Sequence, residues 1–76
     1  MPHITLELYP RELSAKEKHD IGEALADVLK KHLGSSDSAI SVAIEMIPRE
    51  EWKEKVYDPR IKAVMDTLVR KPGYEL

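Results

Sequence analysis

Two strand-like runs with one long helical stripe between them constrain this chain more than any other feature. From His3 to Leu8 the sequence HITLEL alternates, with Ile4, Leu6 and Leu8 on one face and His3, Thr5 and Glu7 on the other, the pattern of a half-buried strand. Ala39 to Ile47 is rich in β-branched and small residues and reads as a second strand. Ile40, Val42, Ile44 and Met46 fill one of its faces, and Ala39, Ala43 and Ile47 make much of the other apolar too, so both faces are expected to be covered. Between the strands, Ser14 and Glu17 form a capping-box pattern, and Ile21, Ala24, Leu25, Val28, Leu29 and Leu33 recur as one apolar stripe. Gly34 follows at a natural C-cap position, which closes a helix about 28 Å long. A strand–helix–strand order makes the strands parallel and the crossover right-handed. The expected class is therefore α/β (α+β), a βαβ unit followed by a C-terminal helix.

That helix is predicted from Asp58 and Pro59, an N-cap and first-turn pair, through Ile61, Val64, Met65, Leu68 and Val69 to Lys71, where Pro72-Gly73 forces a stop. Pro48 to Val56 reads as a charged connection carrying Trp52, with a helical turn as an option within it. No internal repeat or linker divides residues 1–76, so one domain is expected. Two parallel strands leave two open edges, and a chain of 76 residues buries only roughly 60% of the surface it exposes when unfolded. With no cysteine, and with His3, His19 and His32 too far apart for an i, i+4 ligand pair, disulfides and a structural metal are not expected to make up the shortfall. Oligomerisation is left, and a dimer with paired sheets is the smallest expected folded unit. The 12 basic and 14 acidic residues are mixed along the chain and give a net charge of −2, which argues against a nucleic-acid partner. No apolar run is long enough to cross a membrane and the N-terminus has no basic-then-apolar pattern, so a cytoplasmic location without a membrane partner is expected.

Chemistry points to the second residue. An initiator methionine is generally removed when a small residue such as proline follows, which would leave Pro2 with a free secondary amine at the head of a strand. An ordinary α-amino group titrates near pKa ~7.7–8.0, and burial or a neighbouring cation lowers that value. The proline ring fixes φ and aims the lone pair, so a neutral Pro2 nitrogen could serve as a general base. By itself Met-Pro is a common beginning, and a proline that merely starts a strand is the plain alternative.

Several segments together are more specific. MPHI at the start, Pro10-Arg11-Glu12-Leu13 before the first helix, SAISVAIEMI in the second strand, Trp52, and Lys71-Pro72-Gly73-Tyr74 near the end resemble the 4-oxalocrotonate tautomerase family over nearly the whole chain. The resemblance implies a cofactor-independent keto–enol tautomerase acting on enol forms of 2-oxo acids such as phenylpyruvate or 2-hydroxy-dienoates. Pro2 would be the acid–base catalyst, with no metal or organic cofactor. Arg11 would bind the substrate carboxylate through its guanidinium fork. Trp52, Ile40 and Met46 would wall the pocket and keep water out. Ser41 stands where well-studied members carry a second-strand arginine, which favours monocarboxylate substrates; Arg49, Arg60 and Arg70 are candidate replacements for that cation. His3 is expected to be a hydrogen-bonded strand histidine and Glu45 to form a salt bridge between subunits. The family's shorter chains commonly form hexamers as trimers of dimers, but the expected C-terminal helix here would cover the surface on which dimers meet, so a homodimer is predicted. Two other readings stay open: a dehalogenase or decarboxylase of the same superfamily, and a non-catalytic dimeric binding module if Met1 is retained.

Overall fold

Helix α1 spans Ala15–Leu33 in a computed structural model that describes residues 1–76. It starts where the capping box places it. The backbone N–H of Glu17 donates to the Ser14 hydroxyl at 3.0 Å, and the Ser14 N–H donates to the Glu17 carboxylate at 3.0 Å, so two orphan donors are satisfied reciprocally. Lys30 and Lys31 place positive charge in the last turn, against the negative end of the helix dipole. Gly34 ends the helix in the left-handed region at φ 66°, a conformation in which a side chain is strained, and its N–H donates to the Lys30 carbonyl.

Strand β1 is His3–Leu8 and strand β2 is Ser41–Met46, and they pair in parallel with His3 opposite Ser41 and Leu8 opposite Met46. Two further bonds extend the ladder beyond both ends: Ser41 N–H to the Pro2 carbonyl at 3.2 Å and Ile47 N–H to the Leu8 carbonyl at 2.8 Å. β2 is shorter than the sequence suggests because Asp37–Ala39 closes a 3₁₀ turn that takes Ala39 out of the strand. The register puts Ile4, Leu6 and Leu8 on one face with Val42, Ile44 and Met46. α1 packs on this side, its residues Gly22 and Ala26 sharing a cleft with Ile40 and Val42. The opposite face is mixed: His3, Thr5, Ser41 and Glu45 stand exposed there in the single chain, while Glu7, Ala43 and Ile47 are half-buried.

The C-terminal third departs most from expectation. A helix from Asp58 to Lys71 is not what forms. Helical turns begin earlier, at the 3₁₀ turn Arg49–Glu51, continue through a π-helical stretch Lys53–Ile61 and a 3₁₀ stretch Lys62–Thr67, and stop there. Asp58 and Pro59 lie inside this segment, not at its start, and the Asp58 carboxylate accepts from the Lys53 ammonium at 3.0 Å instead of capping. A proline ring has no N–H to give and clashes with the carbonyl one turn back, and a widened π turn is one way to pass it without breaking the helix. Val64, at φ −122° and ψ 22°, breaks the helical geometry again before the segment ends.

Only Val56 and Tyr57 are buried, at 5% and 3% exposure. The chain exposes 5979 Å², where a compact monomer of this mass would expose about 4,700 Å². Its radius of gyration is 14.1 Å, against about 11 Å for a compact domain of this length. Part of the α1 stripe stays open, with Val28 at 51% and Leu33 at 65% exposure. No helix is long and apolar enough to cross a membrane.

Candidate active site

Parallel pairing gives the sheet two chemically different ends. At the end where both strands begin, Pro2 is half-buried and its carbonyl is held by the N–H of Ser41. Ile40, half-buried, precedes Ser41 at this same end. Met1 projects into solvent with all of its surface exposed. On the open face beside Pro2, three polar side chains join. His3 Nδ1 is 2.6 Å from the Ser41 hydroxyl, and His3 Nε2 is 3.2 Å from the Thr5 hydroxyl.

At the other end the surroundings are aromatic. Leu8, Tyr9, Trp52, Tyr74 and Leu76, with the single polar member Glu7, line an open groove of about 450 Å³. Tyr9 and Trp52 meet edge to face with ring centres 5.1 Å apart, the arrangement their quadrupoles favour. The Trp52 indole N–H donates to the Tyr74 hydroxyl at 3.2 Å, and the Tyr74 ring leans on buried Tyr57 at 5.7 Å. Arg49 lies over the Tyr9 ring, 5.4 Å from its centre, within the range of a cation–π contact. Glu7 faces Glu45 across the strands, a like-charge pair that costs energy when unrelieved, and Arg60 bonds to Glu7 at 2.5 Å.

The residues singled out from sequence therefore divide between the two ends. Pro2 and Ile40 share one. Trp52 and Met46, the latter opposite Leu8, belong to the other. Arg11 is exposed in the turn between β1 and α1, beyond that second end. Six strand steps separate Pro2 from Leu8, roughly 20 Å, so within one chain Trp52 does not reach the Pro2 nitrogen. Of the three candidate cations, Arg60 is taken by Glu7, Arg70 is exposed in the tail, and Arg49 is at the aromatic groove.

Of the groove residues, Tyr9 and Leu76 are marked by no sequence pattern, and Tyr74 only as part of the Lys71-Pro72-Gly73-Tyr74 segment, with no role attached. Tyr9 follows the last residue of β1 and precedes a proline, and Tyr74 stands 22 residues from its indole partner, so no periodicity connects them.

Comparison with known proteins adds three findings. The family model described as Tautomerase enzyme matches residues 2–56. Tautomerase PptA of Pectobacterium carotovorum is 57% identical over 74 residues, covering 97% of both chains, and Tautomerase PptA of Cronobacter sakazakii is 43% identical over the full length of both. Among solved structures, TomN, described as a 4-oxalocrotonate tautomerase homologue in the tomaymycin biosynthetic pathway, superposes with a TM-score of 0.59 at 33% identity, over 67% of this chain and 77% of that one.

Proposed function

This chain belongs to the tautomerase family of enzymes, and on that premise we propose that it is a cofactor-independent keto–enol tautomerase with Pro2 as its acid–base group. The substrates are enol forms of 2-oxo acids, such as phenylpyruvate or 2-hydroxy-dienoates. The neutral nitrogen of Pro2, freed by loss of Met1, takes the proton from the enol hydroxyl. As the C2–oxygen bond becomes a carbonyl, the C2=C3 electron pair takes a proton at C3 from the Pro2 ammonium. No electron leaves the substrate, so the step balances without a redox partner.

Arg11 anchors the carboxylate, and Trp52, Ile40 and Met46 exclude water so that the amine stays uncharged. Because Pro2 and Trp52 occupy opposite ends of the sheet, the site is completed by a second copy. Two copies with antiparallel strands bring the Pro2 end of one against the Trp52 end of its partner. The area in excess of a compact monomer and the open sheet edges support such an oligomer, a homodimer in this reading with a hexamer as the alternative. The enzyme acts in the cytoplasm as a single-domain subunit.

The observation that carries this reading is the position of Pro2. The family match begins at that residue, the strand ladder pins its carbonyl, and Met1 ahead of it is fully exposed, so its removal takes little from the fold. Intact mass of protein made in its native host should lack Met1. Retention would make the Pro2 nitrogen an amide and leave a non-catalytic binding module. With phenylpyruvate enol, Pro2→Ala should lower kcat by about 10²–10³-fold, in the range general acid–base groups contribute. An unchanged rate would refute proline catalysis.

A further inference from the structure

Ketonisation builds negative charge on the C2 oxygen while the enol proton is leaving, and a hydrogen-bond donor aimed at that oxygen lowers the barrier. In this chain the strand register decides what can stand there. Ser41 is opposite His3, one residue from Pro2, and its backbone N–H is spent on the Pro2 carbonyl, which leaves its hydroxyl as the local donor. Ser41 is exposed in the single chain, and no other residue of the same chain covers its hydroxyl from substrate.

The histidine behind Ser41 decides which way the hydroxyl hydrogen points. A neutral imidazole has one N–H and one bare nitrogen. If the proton is on Nδ1, it donates to the Ser41 oxygen, and bare Nε2 accepts from the Thr5 hydroxyl. Ser41 then has its own hydrogen free to donate outward. A doubly protonated imidazole gives the same result, with both hydroxyl oxygens accepting. Only the tautomer with its proton on Nε2 turns the Ser41 hydrogen inward. The 2.6 Å contact to Nδ1 and the 3.2 Å contact from Nε2 to Thr5 fit either neutral tautomer of a ring held at both nitrogens, and the one protonated on Nδ1 leaves the Ser41 hydrogen free for substrate.

We propose that Ser41 is a catalytic residue that donates a hydrogen bond to the developing C2 oxyanion, with His3 and Thr5 as the positioning residues that keep its hydrogen turned towards substrate. A neutral hydroxyl stabilises this oxygen without offering a cation to a second carboxylate, so the site suits substrates with one. The inference rests on the tautomerase reading above, and Pro2→Ala separates the two: an active Pro2→Ala variant defeats that reading, whereas the Ser41 and His3 variants test the donor alone.

The experiment is steady-state ketonisation of phenylpyruvate enol by variants of the full chain, each checked for wild-type circular dichroism and assembly size. Ser41→Ala should lower kcat about 10–10²-fold and change KM less than about threefold, since the bond strengthens only as charge develops. Ser41→Thr keeps a hydroxyl on a β-branched residue suited to a strand and should stay within about threefold of wild type. His3→Ala should lose kcat in the same way, and His3→Asn, whose amide nitrogen takes the place of Nδ1, should recover most of it. The proposal is overturned if Ser41→Ala keeps wild-type kcat while Pro2→Ala is inactive, if Ser41→Thr falls as far as Ser41→Ala, or if His3→Asn does no better than His3→Ala.

Discussion

Between His3 and Met46, α1 begins on a reciprocal cap and ends on a left-handed glycine, and the strands on either side of it pair in one register. Between Arg49 and Leu76, none of the helical stretches has a side-chain cap, and the turn type changes twice. Yet the two buried residues, Val56 and Tyr57, are in this irregular region. Local signals build the regular half, and contact with the rest of the chain holds the irregular one. The family match makes a similar division, since it covers residues 2–56 and leaves the remainder to the close relatives that match along the full chain.

The largest test of that contrast is Tyr57→Ala. The ring is 3% exposed and supports Tyr74, so its removal should cost about 3–5 kcal/mol by urea unfolding. It should also loosen the Tyr74–Trp52 contact, seen as a red shift of the only tryptophan's fluorescence. A loss below about 1 kcal/mol would mean that the irregular region does not depend on its packing. In the regular half, Gly34→Ala meets no atom within 4 Å of the added carbon, so only the backbone strain at φ 66° is tested, at about 1–2 kcal/mol. An unchanged midpoint would show that the helix end relaxes freely.

The smallest expected effect is on the cap and depends on pH. The backbone N–H of Ser14, then its hydroxyl, hold the Glu17 carboxyl below the ordinary glutamate range. A depressed pKa means that the folded chain binds fewer protons than the unfolded one, so the contribution is present above about pH 4.3 and fades as pH falls through the folded value. Helicity should decline slightly on acidification below that point. Glu17→Gln, which can keep the hydrogen bond without titrating, should remove that part of the slope.

The regular half could be read from sequence because its determinants are close together. Ser14 and Glu17 are three residues apart, and alternation in HITLEL assigns faces one residue at a time. The predicted bounds of the C-terminal helix failed for a related reason. Asp58-Pro59 has the chemistry of a helix start, but Lys53 claims the Asp58 carboxylate and the turns had already begun at Arg49. The candidate site shows the same limit. Pro2, Arg11 and Trp52 could each be named from motifs, whereas their separation along the sheet could not, because it follows from the β1–β2 pairing and from where the later turns come to rest.

By itself, then, the sequence determined a parallel βαβ unit, the two ends of its helix and a proline at the head of the first strand. Those features depend on steric limits and hydrogen bonds within a turn or two of one backbone. Only the tertiary structure decided that Tyr9, Trp52 and Tyr74 share a groove, that Arg60 relieves Glu7, and that His3, Thr5 and Ser41 form one hydrogen-bonded group beside Pro2. Apart from His3–Thr5, these contacts join residues far apart in the chain, and their partners are selected by shape, charge and register once the strands have paired.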